Sequence, residues 1–192
     1  MIRGFFHPET FIRSLHHESE RNHDREPALR RHARAVKLSS PAFSHSGSIP
    51  AAHTCDGANA SPSLEWTGAP EGTKSFALIV DDPDAPDPKA PKRTFVHWVL
   101  YDIPPTAAGL RESAASPAGS RDGFNDGKRR GYTGPCPPIG RHRYFFKLYA
   151  LDAMLGDLGT PTKDVLESAM QSHLLERAEL IGTYERPGTE KR

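Results

Sequence analysis

Apolar residues along this chain come in two textures. Through residues 1–35 they are scattered and build no sustained stripe, whereas from Val36 onward they gather into short runs broken by Gly, Pro, Ser and Asp. Short runs rich in β-branched and aromatic residues and bounded by turn formers predict strands, here at 36–38, 64–66, 75–80, 95–101 and 144–151. Within "FVHWVLYDIPP" a two-residue period places Phe95, His97 and Val99 on one face and Val96, Trp98 and Leu100 on the other. The same period in "RHRYFFKLYALD" puts His142 and Tyr144 together, with Arg143 pointing the opposite way.

One helix is expected late in the chain. Thr160 can cap it, Pro161 suits its first turn, and Val165/Ala169 with Leu166/Met170/Leu174 repeat at the spacing of a helical face. Beyond it, Ile181, Thr183 and Tyr184 predict a last short strand at 179–184. Long amphipathic helices do not alternate with the strands, so a parallel α/β sheet is disfavoured. The expected fold is mainly β: two antiparallel sheets in a sandwich-like core with peripheral helices, one near the C-terminus.

The totals sharpen this picture. A length of 192 residues fits one domain, read as 36–186. Residues 1–35 carry seven arginines, five histidines and five acidic residues, a mixture expected to form a solvated, disordered tail; 187–192 is expected to fray. The formal net charge of +1 excludes a global field drawing the chain to nucleic acid. Cys55 and Cys136 are too few for a disulfide framework and are read as thiols, with one disulfide left open. No apolar run approaches the roughly 20 residues of a membrane span and no signal core opens the chain, so the expected address is cytoplasmic.

Candidate chemistry centres on "DDPDAPDPKAPK" at 81–92, where prolines stiffen a loop rich in carboxylates. Asp82 and Asp84 can project to one side, where like charges repel unless donors compensate them. His97 and His142 are suitable compensators. A carboxylate on one imidazole nitrogen fixes the tautomer and favours the charged ring, leaving the other N–H for an oxyanion such as phosphate. "GYTGPCPPIG" at 131–140 joins close-approach glycines to stiff prolines, as a pocket rim would. Within it Cys136 is read as a buried thiol more readily than as a nucleophile served by His142. An acidic surface turn and core histidines are the plainer reading of the same residues.

Taken in order, "TCDGANASPSLEW", "DPDAP", "VHW", "GYTGPCPPIG", "HRYFFKLYALD" and "HLLERAELIGTYER" resemble the phosphatidylethanolamine-binding protein family, with a lean toward its bacterial Raf kinase inhibitor-like branch. The resemblance covers roughly 36–186. It implies a β-sandwich-like core with a small pocket for phosphate-like anions. Carried over by motif, Asp82, Asp84, His97, His142 and Tyr144 would form the pocket, Gly134, Cys136, Pro137 and Pro138 its rim, and Tyr132 a support for that rim. Gly127 stands where members often carry an aromatic residue and Phe95 where many carry tryptophan, departures that bear on ligand selectivity.

The function expected is therefore a non-enzymatic binding module without cofactor or metal. Its partners would be a phosphorylated small molecule, a lipid head group or a phosphoprotein, with a kinase or other signalling protein as a candidate by analogy. The alternatives are a hydrolase using Asp82/Asp84 with His97 or His142, and a metal shell of Asp82, Asp84, His97 and His142. Against the hydrolase, the sequence holds no G-x-S-x-G elbow and no H-E-x-x-H helix.

Overall fold

A computed structural model describes residues 35–188. The expected tail lies outside the described residues except for Ala35, as do 189–192 of the expected frayed end; Pro187 and Gly188 form a turn. Nine strands and one α-helix follow in chain order: β1 Lys37–Ser39, β2 Gly47–Ser48, β3 Leu64–Thr67, β4 Ser75–Asp82, β5 Phe95–Ile103, β6 Gly109–Leu110, β7 Arg121–Asp122, β8 His142–Leu151, α1 Lys163–Met170 and β9 Leu174–Tyr184. They build a sheet of three strands, ordered β1-β3-β6, and a sheet of six, ordered β2-β9-β8-β4-β5-β7. Every pairing is antiparallel except the two-residue contact of β2 with β9.

The expected sandwich is present, and the central strand explains its strength. β4 is buried at all eight positions because it lies between β5 and β8 and both of its faces are covered. One face, with Phe76, Leu78 and Val80, joins Trp98, Leu100, Phe146 and Leu148 against Leu38, Leu64 and Trp66 of the small sheet. The other, with Ala77 and Ile79, joins Val99, Tyr101 and Leu151 under Leu166 and Met170 of α1. Burying such side chains contributes about 1.5–3 kcal/mol each, so the two apolar layers hold the sheet from both sides.

The strict alternation expected for β5 is broken twice, between Leu100 and Ile103 and at His97. Val80 pairs with Trp98 and Asp81 with Val96, which leaves His97 as the extra residue of a bulge. A bulge sends neighbouring side chains out of phase. Val96 and Val99 consequently face α1, while Trp98 and Leu100 enter the core between the sheets. The expected grouping of Val96 with Trp98, and of His97 with Val99, is thereby corrected. A bulge is also a common device for re-aiming one side chain next to a site.

The C-terminal elements differ from expectation at their edges. α1 begins after Thr162, and Thr160 accepts a hydrogen bond from Arg130 (2.6 Å) instead of capping the helix. Leu166 and Met170 are the buried pair, Val165 is 50 % exposed, and Leu174 opens β9. β9 runs for 11 residues, not a short stretch, because it is paired along the whole of β8; Arg177 and Glu179 lie on its more exposed side and Glu176 on the side of Ala178. Leu166→Ala is expected to cost about 2–5 kcal/mol in denaturant unfolding, and Val165→Ala no more than about 0.5 kcal/mol. Equal costs would contradict this assignment of the helix face.

Candidate functional site

β4 is antiparallel to both neighbours, so its C-terminal end necessarily meets the N-terminal ends of β5 and β8. Asp82 closes β4, His97 sits in the bulge near the start of β5, and His142 opens β8. Register alone thus brings together residues that are 15 to 60 positions apart. They surround a cavity of about 280 Å³ whose walls also include Ala85, Pro86, Phe95, Pro137 and Pro138, with Arg93 among the lining residues.

The hydrogen bonds distribute the polar groups differently from the sequence expectation. Asp82 Oδ2 accepts from His142 Nδ1 at 2.7 Å and Oδ1 accepts the Asp84 backbone N–H at 2.8 Å. His142 Nε2 is not free: it lies 3.1 Å from the Ile139 carbonyl. Both of its partners are acceptors, so both ring nitrogens must carry protons. Burial disfavours that charged ring, but the bond to Asp82 with the Ile139 carbonyl outweighs burial and holds His142 above the ordinary imidazole range.

Asp84 compensates an arginine rather than a histidine. Arg143 Nε and Nη2 donate to Asp84 Oδ2 and Oδ1 at 2.9 and 2.7 Å, and the Arg143 backbone N–H donates to Oδ2 at 2.9 Å. The forked pair from Arg143 holds the Asp84 carboxyl below its usual range. Arg143, on the face opposite the histidines, therefore straps the proline loop to β8, and Asp84 does not line the cavity.

His97 is held by backbone. Its Nδ1 lies 2.6 Å from the Thr133 carbonyl, and the Thr133 N–H donates to the His97 carbonyl at 2.9 Å. A carbonyl can only accept, so Nδ1 carries the proton. Burial pushes His97 below the ordinary imidazole value despite that carbonyl and the nearby Asp82, Asp81 and Asp126. The expected arrangement, two imidazoles each charged by a carboxylate and each with a spare N–H, is thus corrected: His142 is charged with both N–H groups committed, and His97 is neutral.

Tyr144 stands edge-on to His97, with ring centroids 5.2 Å apart at 79°, and its buried hydroxyl has no partner among the described residues. It backs the histidine and, like Tyr132, does not form the cavity wall. Tyr132 supports the rim: its hydroxyl donates to the His53 carbonyl at 2.8 Å and its ring meets Trp98 edge-on. Gly134 donates its N–H to Asn59 Oδ1 at 2.7 Å, and a Cβ there would stand 2.5 Å from the His53 carbonyl oxygen, so only glycine allows this approach.

The two cysteines are not thiols. Cys55 and Cys136 form a disulfide across 81 positions, reinforced by the Cys55 N–H to the Pro135 carbonyl at 3.0 Å. Cys136 is therefore unavailable as a nucleophile in this form, and the rim is crosslinked to the loop at 54–60. Such a crosslink persists best in oxidising surroundings, which weakens the argument for a reducing compartment. Among the described residues no helix is long and apolar enough to cross a membrane. Nor do any three His, Cys, Asp or Glu side chains among them converge as a metal shell would require.

Sequence reasoning missed Arg93, Thr133 and Asn125. Arg93 stacks on Phe95, 5.0 Å from the ring centroid, and Phe95 lies 4.8 Å from the His97 ring. Asn125 Nδ2 donates to the Gly131 carbonyl and Thr133 Oγ1 at 2.9 and 3.0 Å. A basic residue two positions before a histidine-bearing strand could have drawn attention to Arg93. Thr133 holds His97 through its main chain, for which side-chain identity gives no signal.

The comparisons with known proteins agree with this fold. The sequence profile of phosphatidylethanolamine-binding protein matches residues 39–185. This chain belongs to the phosphatidylethanolamine-binding protein family. A UPF0098 protein of Methanothermobacter thermautotrophicus is 49 % identical over 156 residues, covering 79 % of this chain and 99 % of that protein. The crystal structure of the phosphatidylethanolamine-binding protein homologue from Chlamydia trachomatis is similar at a TM-score of 0.74 and 40 % identity, covering 79 % of this chain and 98 % of that one. Escherichia coli YbcL, described as a member of the mammalian family, is similar at 0.71 and 32 %, with the same coverage. The bacterial and archaeal branch of the family is therefore the one to which this chain belongs.

Two outcomes follow from these contacts. Asp84, held below its unfolded value, contributes stability that is present above the unfolded carboxyl range near pH 4 and lost as pH falls through the depressed folded value. The stability gap between wild type and Asp84→Asn is accordingly expected to be widest near neutrality and to close as pH falls through the depressed folded value, read by unfolding at each pH; a constant gap would contradict the pairing. Cys136→Ser is expected to cost about 2–4 kcal/mol of stability, and a thiol titration of denatured, unreduced wild type to find no free thiol.

Proposed function

We propose that this member of the family is a non-enzymatic binding module whose cavity accepts a phosphate-bearing ligand. The observation that carries the reading is the cavity's construction: a buried Asp82–His142 pair and the anchored His97 ring at its floor, apolar proline and Phe95 walls, and Arg93 among its lining residues. An arginine on an otherwise apolar wall supplies the charge an anion needs, while fixed polar groups below set its orientation. A phosphorylated small molecule, a lipid head group and a phosphoprotein all present that chemistry. A signalling partner such as a kinase would be modulated through occupancy of the same cavity.

A hydrolytic reading has less support. Asp82 is bonded to His142 and the Asp84 backbone, Asp84 is turned to Arg143, and Cys136 is in a disulfide, so neither an acid and base flanking a scissile bond nor a nucleophile is set up. A generic esterase and phosphatase screen is expected to give no turnover; turnover abolished by His97→Ala would revive the hydrolase.

Titration calorimetry with phosphoethanolamine is expected to show one site per chain. His97→Ala and Arg93→Ala should each weaken binding about tenfold, roughly 1.4 kcal/mol. Affinity indifferent to both substitutions would remove this cavity from the function.

A further inference from the structure

Three places merit comparison. A groove of about 590 Å³ between β1, β3 and β9 is lined in part by Trp66, whose buried indole N–H has no partner among the described residues, but Lys37, Glu65, Arg177 and Glu179 around it offer both signs of charge and select no ligand class. Asp81 with Lys147 and Lys163 (2.8 and 2.6 Å) is a satisfied cluster on the helix side. The family cavity itself has an imbalance that the binding reading leaves unused.

That imbalance lies in which atoms remain available. His142 has spent both N–H groups on Asp82 and Ile139, and His97 has spent its only N–H on Thr133. The remaining imidazole nitrogen, His97 Nε2, has no partner among the described residues and is not sealed from solvent, and His97 lines the cavity. In the neutral ring this atom is a lone pair. The carboxylate of Asp82 beside it is likewise an acceptor. The imidazole end of the cavity thus asks its ligand to bring a hydrogen-bond donor, whereas Arg93 asks it to bring negative charge.

We propose that the cavity selects phosphate monoesters over phosphate diesters and sulfate, binding the monoester with a proton retained on one oxygen that is donated to His97 Nε2. The inference rests on the phosphate-binding reading and specifies the ligand within it. A monoester loses its second proton only near pH 6, so an anionic form with an O–H is populated around neutrality. Sulfate and a diester have no such proton, and each would set a bare oxygen against the lone pair. The penalty for a mismatched polar contact in a buried site is the cost of leaving both groups unpaired.

The proton could reach the shared position from His97 instead, and the surroundings decide how readily. Burial opposes a charged ring and prevails, although the Thr133 carbonyl, Asp82 and Asp81 of β4 and Asp126 of the turn after β7 all favour it; the Phe95 and Tyr144 rings pack beside the imidazole. The charged His142 on β8 and Arg93 on the wall add like-charge opposition. His97 therefore offers a donor to diesters and sulfate only as pH falls through a value below the ordinary imidazole range. Discrimination should be strong at neutral pH and fade in acid.

Phosphoethanolamine and glycerophosphoethanolamine make the test, since both carry the same amine and differ in whether the phosphate is a monoester or a diester; sulfate is the third arm. Calorimetric titration of the full chain at pH 7 is expected to give the monoester at least tenfold tighter binding than either competitor, with net proton uptake detected by repeating it in buffers of different ionisation enthalpy. Lowering the pH toward 5 should narrow the gap by raising the competitors' affinity. His97→Gln, which can present an amide donor, should lose the preference while still binding. Equal affinities at pH 7 for all three, or a diester preference, would overturn this inference and leave the phosphate-binding reading standing. No binding of any of them would overturn both.

Discussion

The cavity depends on one commitment: the only proton of the His97 ring is held by the Thr133 carbonyl at 2.6 Å. That bond fixes the ring's tautomer, its orientation and the atom left over. It also ties β5 to the rim loop, because the Thr133 N–H returns to the His97 carbonyl at 2.9 Å and Asn125 bridges to Thr133 and Gly131. The bulge makes this possible by turning His97 out of the ladder that Val96 and Trp98 continue. A regular strand would have sent Trp98 and Val96 to the same face and left the imidazole in a different relation to the Asp82–His142 pair.

Around that ring the molecule uses backbone and crosslinks where the sequence suggested side-chain charge. Asp84 with Arg143, and Asp82 with the Asp84 N–H, stiffen the proline loop from behind. The disulfide, the Tyr132 hydroxyl and the Asn59 side chain fix the opposite rim to the segment at 53–59. Rigid walls lower the ordering cost of taking a ligand, which suits a binding module more than a site that must reshape during a reaction.

Much of this was legible from the residues. The period of two in "HRYFFKLYALD" put His142 and Tyr144 on one inward face, where the structure has them, and the four longer strands between 64 and 151 were found close to their observed ends, whereas the two-residue strands β6 and β7 were not. The motifs also pointed to the right family. What could not be read was anything settled by non-local pairing: the bulge at His97 depends on register with β4, the choice of Arg143 over a histidine for Asp84 depends on which face of β8 the proline loop reaches, and β9 is longer than its apolar run because pairing with β8 carries its charged residues. The cysteines were ambiguous for the same reason, since only folding brings positions 55 and 136 together.

Family membership brings the fold; what the chain's own atoms add is the cavity's division of labour between the two imidazoles. Nitrogen-15 NMR of the histidine rings in ligand-free protein at pH 7 reads that division directly. The account predicts one ring, His97, as the neutral tautomer with its proton on Nδ1 and a bare Nε2, and a second, His142, protonated on both nitrogens. A doubly protonated His97, or a proton resident on its Nε2, would contradict it.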